Sequence, residues 1–231
     1  MTIEIWSDVM CPFCYIGKRK FENALTQFPH KDDVKVIWKS FQLNPNLKTD
    51  AHKNTHQYLA EVKGWSLEEA KKMSDHVTNL AKQVGLTYHL DKAVVANSFD
   101  AHRFSCLAKK HSLQDKAEER LFLAYFTEGK NTADHATLIQ LGVEIGLEAD
   151  EIKQMLEGNE YAVEVQQDII EAQQAGVRGV PFFVLGGKYA ISGAQETALF
   201  LEALNRTWEE VEKTTPSVVE GSVCMPDDEC D

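Results

Sequence analysis

Apolar and polar positions alternate through Thr2-Ile3-Glu4-Ile5-Trp6-Ser7, and this two-residue period predicts a short strand over residues 3–7. Pro12 follows where a helix would make its first turn, a place that suits proline because its missing N–H would have no partner there. Ile16, Phe21, Ala24, Leu25 and Phe28 recur at helical spacing up to Pro29. Residues 34–42, VKVIWKSFQ, are rich in β-branched and aromatic side chains and predict a second strand. The chain therefore opens strand, helix, strand.

From Asn44 to about Asn159 the strand signal fades and helical signatures repeat. Ser66-Leu67-Glu68-Glu69 is a capping-box pattern ahead of Ala70, Met73, Val77, Leu80, Ala81 and Val84, with Gly85 as the stop. Further helices are expected at Phe104, Leu107 and Ala108, and at Leu121, Ala124 and Tyr125 before Gly129. Two more precede Gly146 and Gly158, carried by Leu138, Leu141 and Ile145 and by Ile152, Met155 and Leu156. No fixed repeat length marks a solenoid. Val165, Ile169, Ala172 and Ala175 then form a helix closed by Gly176. Phe182–Leu185 and Tyr189–Ser192 flank Gly186-Gly187-Lys188 as a hairpin, and a last helix runs over about 195–213. The expected organisation is one α/β unit split into 1–44 and 160–213, a helical insertion at 45–159, and an acidic tail at 214–231.

A hydrophobic fraction of 43% with only 13 Gly and 6 Pro in 231 residues excludes disorder and collagen-like repeats. With 24 Lys plus Arg against 36 Asp plus Glu, the formal charge of −12 repels phosphate backbones, so nucleic acid is not an expected partner. No apolar run approaches the roughly 20 residues that span a bilayer, so no membrane is expected. The alternating amino terminus lacks a basic region followed by an apolar stretch, and a cytoplasmic location is expected. Five cysteines are too few for a disulfide scaffold in a chain this long. Their spacing is better read for chemistry or metal binding.

Cys11-Pro12-Phe13-Cys14 can clip a zinc ion or exchange a disulfide. At a strand-to-helix junction Cys11 meets the unbonded N–H groups and positive dipole end of the helix, which favour a thiolate. Cys14, one turn in, is the more buried thiol. Cys11 is thus the expected nucleophile and Cys14 the resolving cysteine. The competing readings are two buried apolar thiols, or zinc ligands completed by Cys224 and Cys230.

The run 7–18, SDVMCPFCYIGK, resembles the active-site stretch of the cytoplasmic, FrnE-like branch of the DsbA family of thiol-disulfide oxidoreductases. The resemblance continues through 97–103, NSFDAHR, through 124–129, AYFTEG, and through 176–183, GVRGVPFF. It implies an α/β architecture, a thioredoxin fold with a large all-helical insertion, and an oxidoreductase with isomerase activity as a variant of the same chemistry. Val180-Pro181 matches the family's cis-proline loop, so Pro12, Phe13, Val180 and Pro181 are the expected substrate-contacting residues beside catalytic Cys11 and Cys14. Expected partners are proteins or small thiols carrying disulfides, with glutathione a candidate co-substrate and no metal or bound cofactor. Two departures stand out. Ile5 occupies the place, six before the first cysteine, where many thioredoxin-fold enzymes carry an acid, leaving Asp8 and Glu4 as the nearest carboxylates. Pro12 and Phe13 stand where strongly oxidising relatives carry a histidine.

Cys224 and Cys230 form a second close pair in the tail, similar to one in which family members often end, though the spacing here is one residue longer. Asp227, Asp228, Glu229 and Asp231 oppose a thiolate at Cys230, which leaves Cys224 the expected auxiliary nucleophile. Cys106 reads as a packed small residue, with His102 one turn earlier. His52 and His56 read as part of a solvated stretch despite helical spacing, and Glu118-Glu119 and Glu209-Glu210 as solvated helix faces. Two alternatives lie outside disulfide exchange. A glutathione transferase or isomerase of the kappa type shares the fold but typically presents serine at the Cys11 position, and a zinc-bound interaction protein would use all four paired cysteines.

Overall fold

In β1 (Thr2–Ser7) Ile3 and Ile5 are fully buried while Thr2 is exposed and Glu4 half-buried, so the alternation seen in the sequence is the alternation of the fold. The computed structural model describes residues 1–214; Cys224 and Cys230 lie outside the described residues. β1 sits inside a four-stranded sheet of order β2-β1-β5-β6. Its parallel neighbour β2 (Lys35–Ser40) runs in register from Thr2 opposite Lys35 to Ser7 opposite Ser40, reached through α1 (Pro12–Gln27). Its antiparallel neighbour β5 (Phe182–Leu185) arrives from the other end of the chain and turns into β6 (Tyr189–Ser192). Gly186 and Gly187 both take positive φ, as a tight hairpin turn of the mirror-image type requires.

Both faces of the sheet are covered. Ile3, Ile5 and Phe183 pack with Phe21 of α1 and Phe200 of α9 (Thr197–Thr214), where the Phe183 and Phe200 rings meet edge-on at 4.7 Å. Trp6 faces the opposite side toward α8 (Ala162–Gln174), and its indole N–H donates to the Asp168 carbonyl at 2.9 Å. The Asp168 carboxylate accepts from the Ser40 N–H at 2.9 Å, which pins α8 to the end of β2.

The insertion contains α2 (Thr55–Lys63), α3 (Leu67–Gln83), α4 (Phe99–Lys110), α5 (Gln114–Phe122), a π-helical turn over Leu123–Thr127, α6 (His135–Ile145) and α7 (Ala149–Glu157). The Ser66 capping box forms as expected, with Ser66 accepting from the Glu69 N–H and Glu69 reaching back. The insertion is helical but not all-helical. β3 (Asp50–Asn54) pairs antiparallel with the two-residue β4 (Val94–Val95), with an irregular register. The residues 50–54, DAHKN, lack β-branched side chains, so this strand owes its form to its partner and carries no local signal. His52 lies in β3 and His56 in α2, with Asn54 capping the helix between them, so the two do not share a helix face.

The expectation that Glu118-Glu119 is solvated fails. Glu118 is buried and accepts from the Ser105 hydroxyl at 2.6 Å, and its carboxyl is pushed above the ordinary glutamate range by burial. Glu119 is half-buried against α1, where the Tyr15 hydroxyl donates to it at 2.6 Å and Arg19 donates at 2.9 Å. Cations and donors more than ninety residues away in sequence decide its environment, and adjacent carboxylates in a helix do not announce them. The largest apolar core is likewise shared: Val9, Cys11, Cys14 and Tyr15 belong to the same cluster as Phe104, Leu121, Phe122 and Phe126 of the insertion.

Candidate active site

Cys11 is the N-cap of α1, in extended backbone conformation at φ −87° and ψ 111°, and Pro12 opens the helix. The Cys11 N–H donates to the Asp8 carbonyl at 2.9 Å, and the Cys14 N–H to the Cys11 carbonyl at 3.0 Å. The Cys11 side chain makes no capping hydrogen bond. Its Sγ points instead at the Val180 carbonyl, 3.4 Å away, and the Val180–Pro181 peptide is cis. The two motifs separated by 169 residues thus form one surface. Gly17 makes this contact sterically feasible: a Cβ there would lie 2.9 Å from the Pro181 Cγ, inside van der Waals distance of a ring that cannot swing away. Gly17→Val is expected to cost about 1–3 kcal/mol, as overpacking does, read as a lowered urea midpoint at unchanged slope.

Cys14 is the more deeply buried thiol, at 1% exposure against 5% for Cys11. Burial pushes its pKa well above the ordinary cysteine value, and neighbouring Cys11 adds to this, while the Ser7 hydroxyl and the Asp8 backbone pull it down. Ser7 Oγ is buried at the end of β1 and has no nitrogen or oxygen partner, so this hydroxyl is available to the sulfur. A thiolate on Cys14 therefore forms only when something relieves its desolvation.

Of the two carboxylates that the sequence offered in place of the missing acid, only Asp8 adjoins the cysteine turn, through its carbonyl to the Cys11 N–H. It is fully buried; one oxygen accepts from the Leu43 N–H at 2.8 Å, and the other from the Met10 N–H at 3.3 Å. Buried His102 of α4 stands 3.7 Å from the second oxygen and donates to the Phe41 carbonyl at 2.9 Å. Burial pulls the His102 pKa down, but Asp8 outweighs it and the net shift is upward. Glu4 instead lies 3.8 Å from Lys39 at the side of the sheet. His102 thus serves Asp8 and makes no thiolate of Cys106, whose pKa burial pushes up to about 12.

Sequence reading missed this buried pair, because Asp8 and His102 sit 94 positions apart and neither lies in a recognisable spacing. It also missed Tyr88, whose hydroxyl donates to the Pro12 carbonyl at 2.8 Å and whose ring stacks on Phe126 at 4.7 Å. Phe13, between the cysteines, is 40% exposed and stands at the surface beside the thiols. Among the described residues no three His, Cys, Asp or Glu side chains gather in a metal-binding arrangement, and no helix is long and apolar enough to cross a membrane.

The sequence profile of the DSBA-like thioredoxin domain matches residues 2–205. The chain belongs to that family. This DSBA-like protein is similar to a probable DsbA oxidoreductase from Streptomyces coelicolor, with 37% identity and a TM-score of 0.88 over 98% of this chain and 97% of that one. It is 28% identical, over 88% of its length and 95% of the other, to the uncharacterized protein YwbO of Bacillus subtilis strain 168. The fold is also that of the cytosolic disulfide reductase DsbM from Pseudomonas aeruginosa, with 16% identity and a TM-score of 0.61 over 92% and 98% of the two chains. Membership places this DSBA-like chain among thiol-disulfide oxidoreductases.

Proposed function

We propose that the protein exchanges disulfides with polypeptides or small thiols through Cys11 and Cys14. The observation that carries this is the position of Cys11: an N-cap thiol with no capping duty, aimed at the carbonyl that precedes Pro181. In the reducing direction the Cys11 thiolate attacks one sulfur of a substrate disulfide. A mixed disulfide forms, and the other substrate sulfur leaves as a thiolate that takes up a proton. Cys14 then loses its proton and attacks Cys11 Sγ; the Cys11–Cys14 disulfide forms and the second substrate thiolate departs. Two electrons have passed to the substrate, and two thiols such as glutathione return them, leaving joined as their own disulfide. Run backwards, the same steps oxidise a dithiol. The Val180 carbonyl and Pro181 flank the attacked sulfur, where extended substrate backbone would lie, while Pro12 and Phe13 present an apolar edge.

The potential of the couple decides direction. Strong oxidants are those whose reduced form is stabilised, and here the helix terminus acts without a histidine donor at positions 12 and 13. Equilibration in glutathione buffers is expected to give a potential clearly below roughly −120 mV, the range of the strongest oxidants. A value there would overturn this account of the couple, and a pair that never oxidises would overturn the function.

Cys224 and Cys230 extend the proposal as a second couple that passes electrons to or from Cys11. α9 runs beside α1 in the same direction: Ala194, just before it, lies against Gly17, and Trp208 near its end stacks on His30 at 4.4 Å. Trp208 is thus level with the pole of α1 remote from Cys11, roughly 24 Å away along a 16-residue helix, and the six residues on to Thr214 add roughly 9 Å. Ten residues from Thr214 to Cys224 extend to roughly 33 Å, so the pair reaches Cys11 only at full extension. Truncation after Thr215 is expected to slow turnover; unchanged turnover with every electron donor tried makes the tail pair idle.

A further inference from the structure

Ser7 closes β1, where it is 2% exposed and its hydroxyl has no hydrogen-bond partner. A buried hydroxyl in that state costs stability and calls for a reason. Its place in the fold supplies one. Ile3, Ile5 and Ser7 share one face of the alternating strand, the face turned to α1, while Trp6 turns to α8. α1 runs back along that face from the cysteine turn. Phe21 packs with Ile3 and Ile5, so Cys14, seven residues earlier on the same side of the helix, comes level with Ser7 at the end of the strand. The Ser7 hydroxyl accordingly faces the Cys14 sulfur. A protonated thiol is a weak acceptor and leaves that hydroxyl unbonded; a thiolate in the same place is a strong one.

We propose that Ser7 is a catalytic residue of the resolving step, its hydroxyl donating to Cys14 Sγ as that sulfur becomes the thiolate that attacks Cys11. The inference rests on the exchange chemistry proposed above. In this step Cys14 gives up its proton, the Cys14–Cys11 bond forms and the Cys11–substrate bond breaks; the electron pair leaves on the substrate sulfur, which takes up a proton. The charge on Cys14 arises in a buried place, where a donor already in position has its largest effect. Neighbouring groups are otherwise committed. Tyr88 gives its hydroxyl to the Pro12 carbonyl at 2.8 Å and burial keeps it a neutral phenol, while the Asp8 carboxylate is held by the Leu43 and Met10 N–H groups with His102 beside it. Cys11 opposes a charge on Cys14 only while its own sulfur is free, and in the mixed disulfide it carries none. Against burial of the thiolate stand the Asp8 backbone and the Ser7 hydroxyl. Because this hydrogen bond exists only when Cys14 is charged, it lowers the barrier without strengthening the dithiol or the disulfide.

The test follows the mixed disulfide in the full-length chain carrying Cys224→Ser and Cys230→Ser, so that Cys14 alone resolves it. The reduced protein is mixed with excess oxidised glutathione and quenched with acid, and the Cys11–glutathione adduct is measured by peptide mass spectrometry. A hydrogen bond to a charged group enlarges the thiolate population about tenfold to a hundredfold, and the greater nucleophilicity of a more basic sulfur cancels about half of that on a logarithmic scale. Ser7→Ala is therefore expected to lengthen the adduct's lifetime about three- to tenfold at pH 7 and to move the pH profile of resolution upward, with the alkylation rate of Cys11 unchanged. A merely structural serine would cost stability when removed; here the urea midpoint is expected to hold or rise, since an unpartnered hydroxyl leaves with the substitution. An unchanged lifetime overturns the inference, as does a longer one that comes with a lower urea midpoint or slower alkylation of Cys11. If oxidised glutathione leaves Cys11 and Cys14 reduced even with Ser7 intact, the exchange reading itself falls, which is a distinct result.

Discussion

Cys11→Ser is expected to abolish disulfide exchange, a loss of at least about a thousandfold, whereas Cys14→Ser accumulates a covalent adduct with substrate. The asymmetry follows from position. Cys11 caps α1 at 5% exposure with its thiol turned to the Val180 carbonyl of the cis-proline loop, while Cys14, at 1%, is sealed deeper in the shared core. Burial keeps the Cys14 proton in place until Cys11 is engaged in a mixed disulfide, so without Cys11 the chain has a thiol that neither reaches a substrate nor ionises at neutral pH. In Cys14→Ser the first attack proceeds and the second does not. Mass spectrometry of each variant after incubation with a disulfide substrate reads both outcomes. Equal alkylation rates for the two single variants at pH 7 would contradict the assigned roles.

Lys18→Met is expected to destabilise the fold by about 2–3 kcal/mol without altering the thiols. Lys18 is 1% exposed on α1, and its ammonium pairs with Glu22 and lies 3.3 Å from both Asp115 and Glu119 of α5. Arg19 shares Glu22 and Glu119, so two cations face three carboxylates across the junction of the α/β unit and the insertion. Removing one partner of a buried pair costs about 3–5 kcal/mol, but these carboxylates keep a third or more of their surface in water and are partly compensated there. The pH dependence carries a definite sign. Burial lowers the Lys18 pKa, but Asp115 and the other carboxylates outweigh it and raise the net value, so its stabilisation is complete below the ordinary lysine pKa and fades only as pH rises through the raised one. Burial raises the Glu119 pKa, but Arg19, Tyr15 and Lys18 lower the net value, so its stabilisation holds above the ordinary glutamate pKa and fades as pH falls through the depressed one. Between those limits the wild type keeps its advantage over Lys18→Met, and as pH falls through the depressed Glu119 value Lys18 loses that partner and the gap narrows. Urea titrations at pH 7 and at successively lower pH read the difference.

The hairpin, the Ser66 cap and the strand-helix-strand opening were legible because each is specified by neighbours in sequence: a pair of glycines, a serine three residues before a glutamate, an alternation of apolar residues. The cysteine turn and the Val180-Pro181 loop were legible for a different reason, since each has a shape that few other sequences take. Asp8, His102, Lys18, Glu118 and Glu119 were not, because a buried charge is defined by its partner, and here partners come from elements 13 to 104 residues away. β3 was invisible because it has strand geometry without strand composition.

The chain order of the sheet carries a cost during synthesis. β1 lies between β2 and β5, yet β5 is encoded about 180 residues after it, so the open edge of β1 stays unpaired while the whole insertion is made. At roughly 5–20 residues per second, Val180 leaves the ribosome about 8–34 s after Cys11. During that interval the nascent chain carries both thiols without the loop whose Val180 carbonyl faces Cys11 in the finished fold. Long-range pairing of this kind also slows closure of the sheet. The early helices of the insertion, which share a core with Cys14 and Tyr15, are the part of the molecule able to shelter those thiols until the carboxyl-terminal strands arrive.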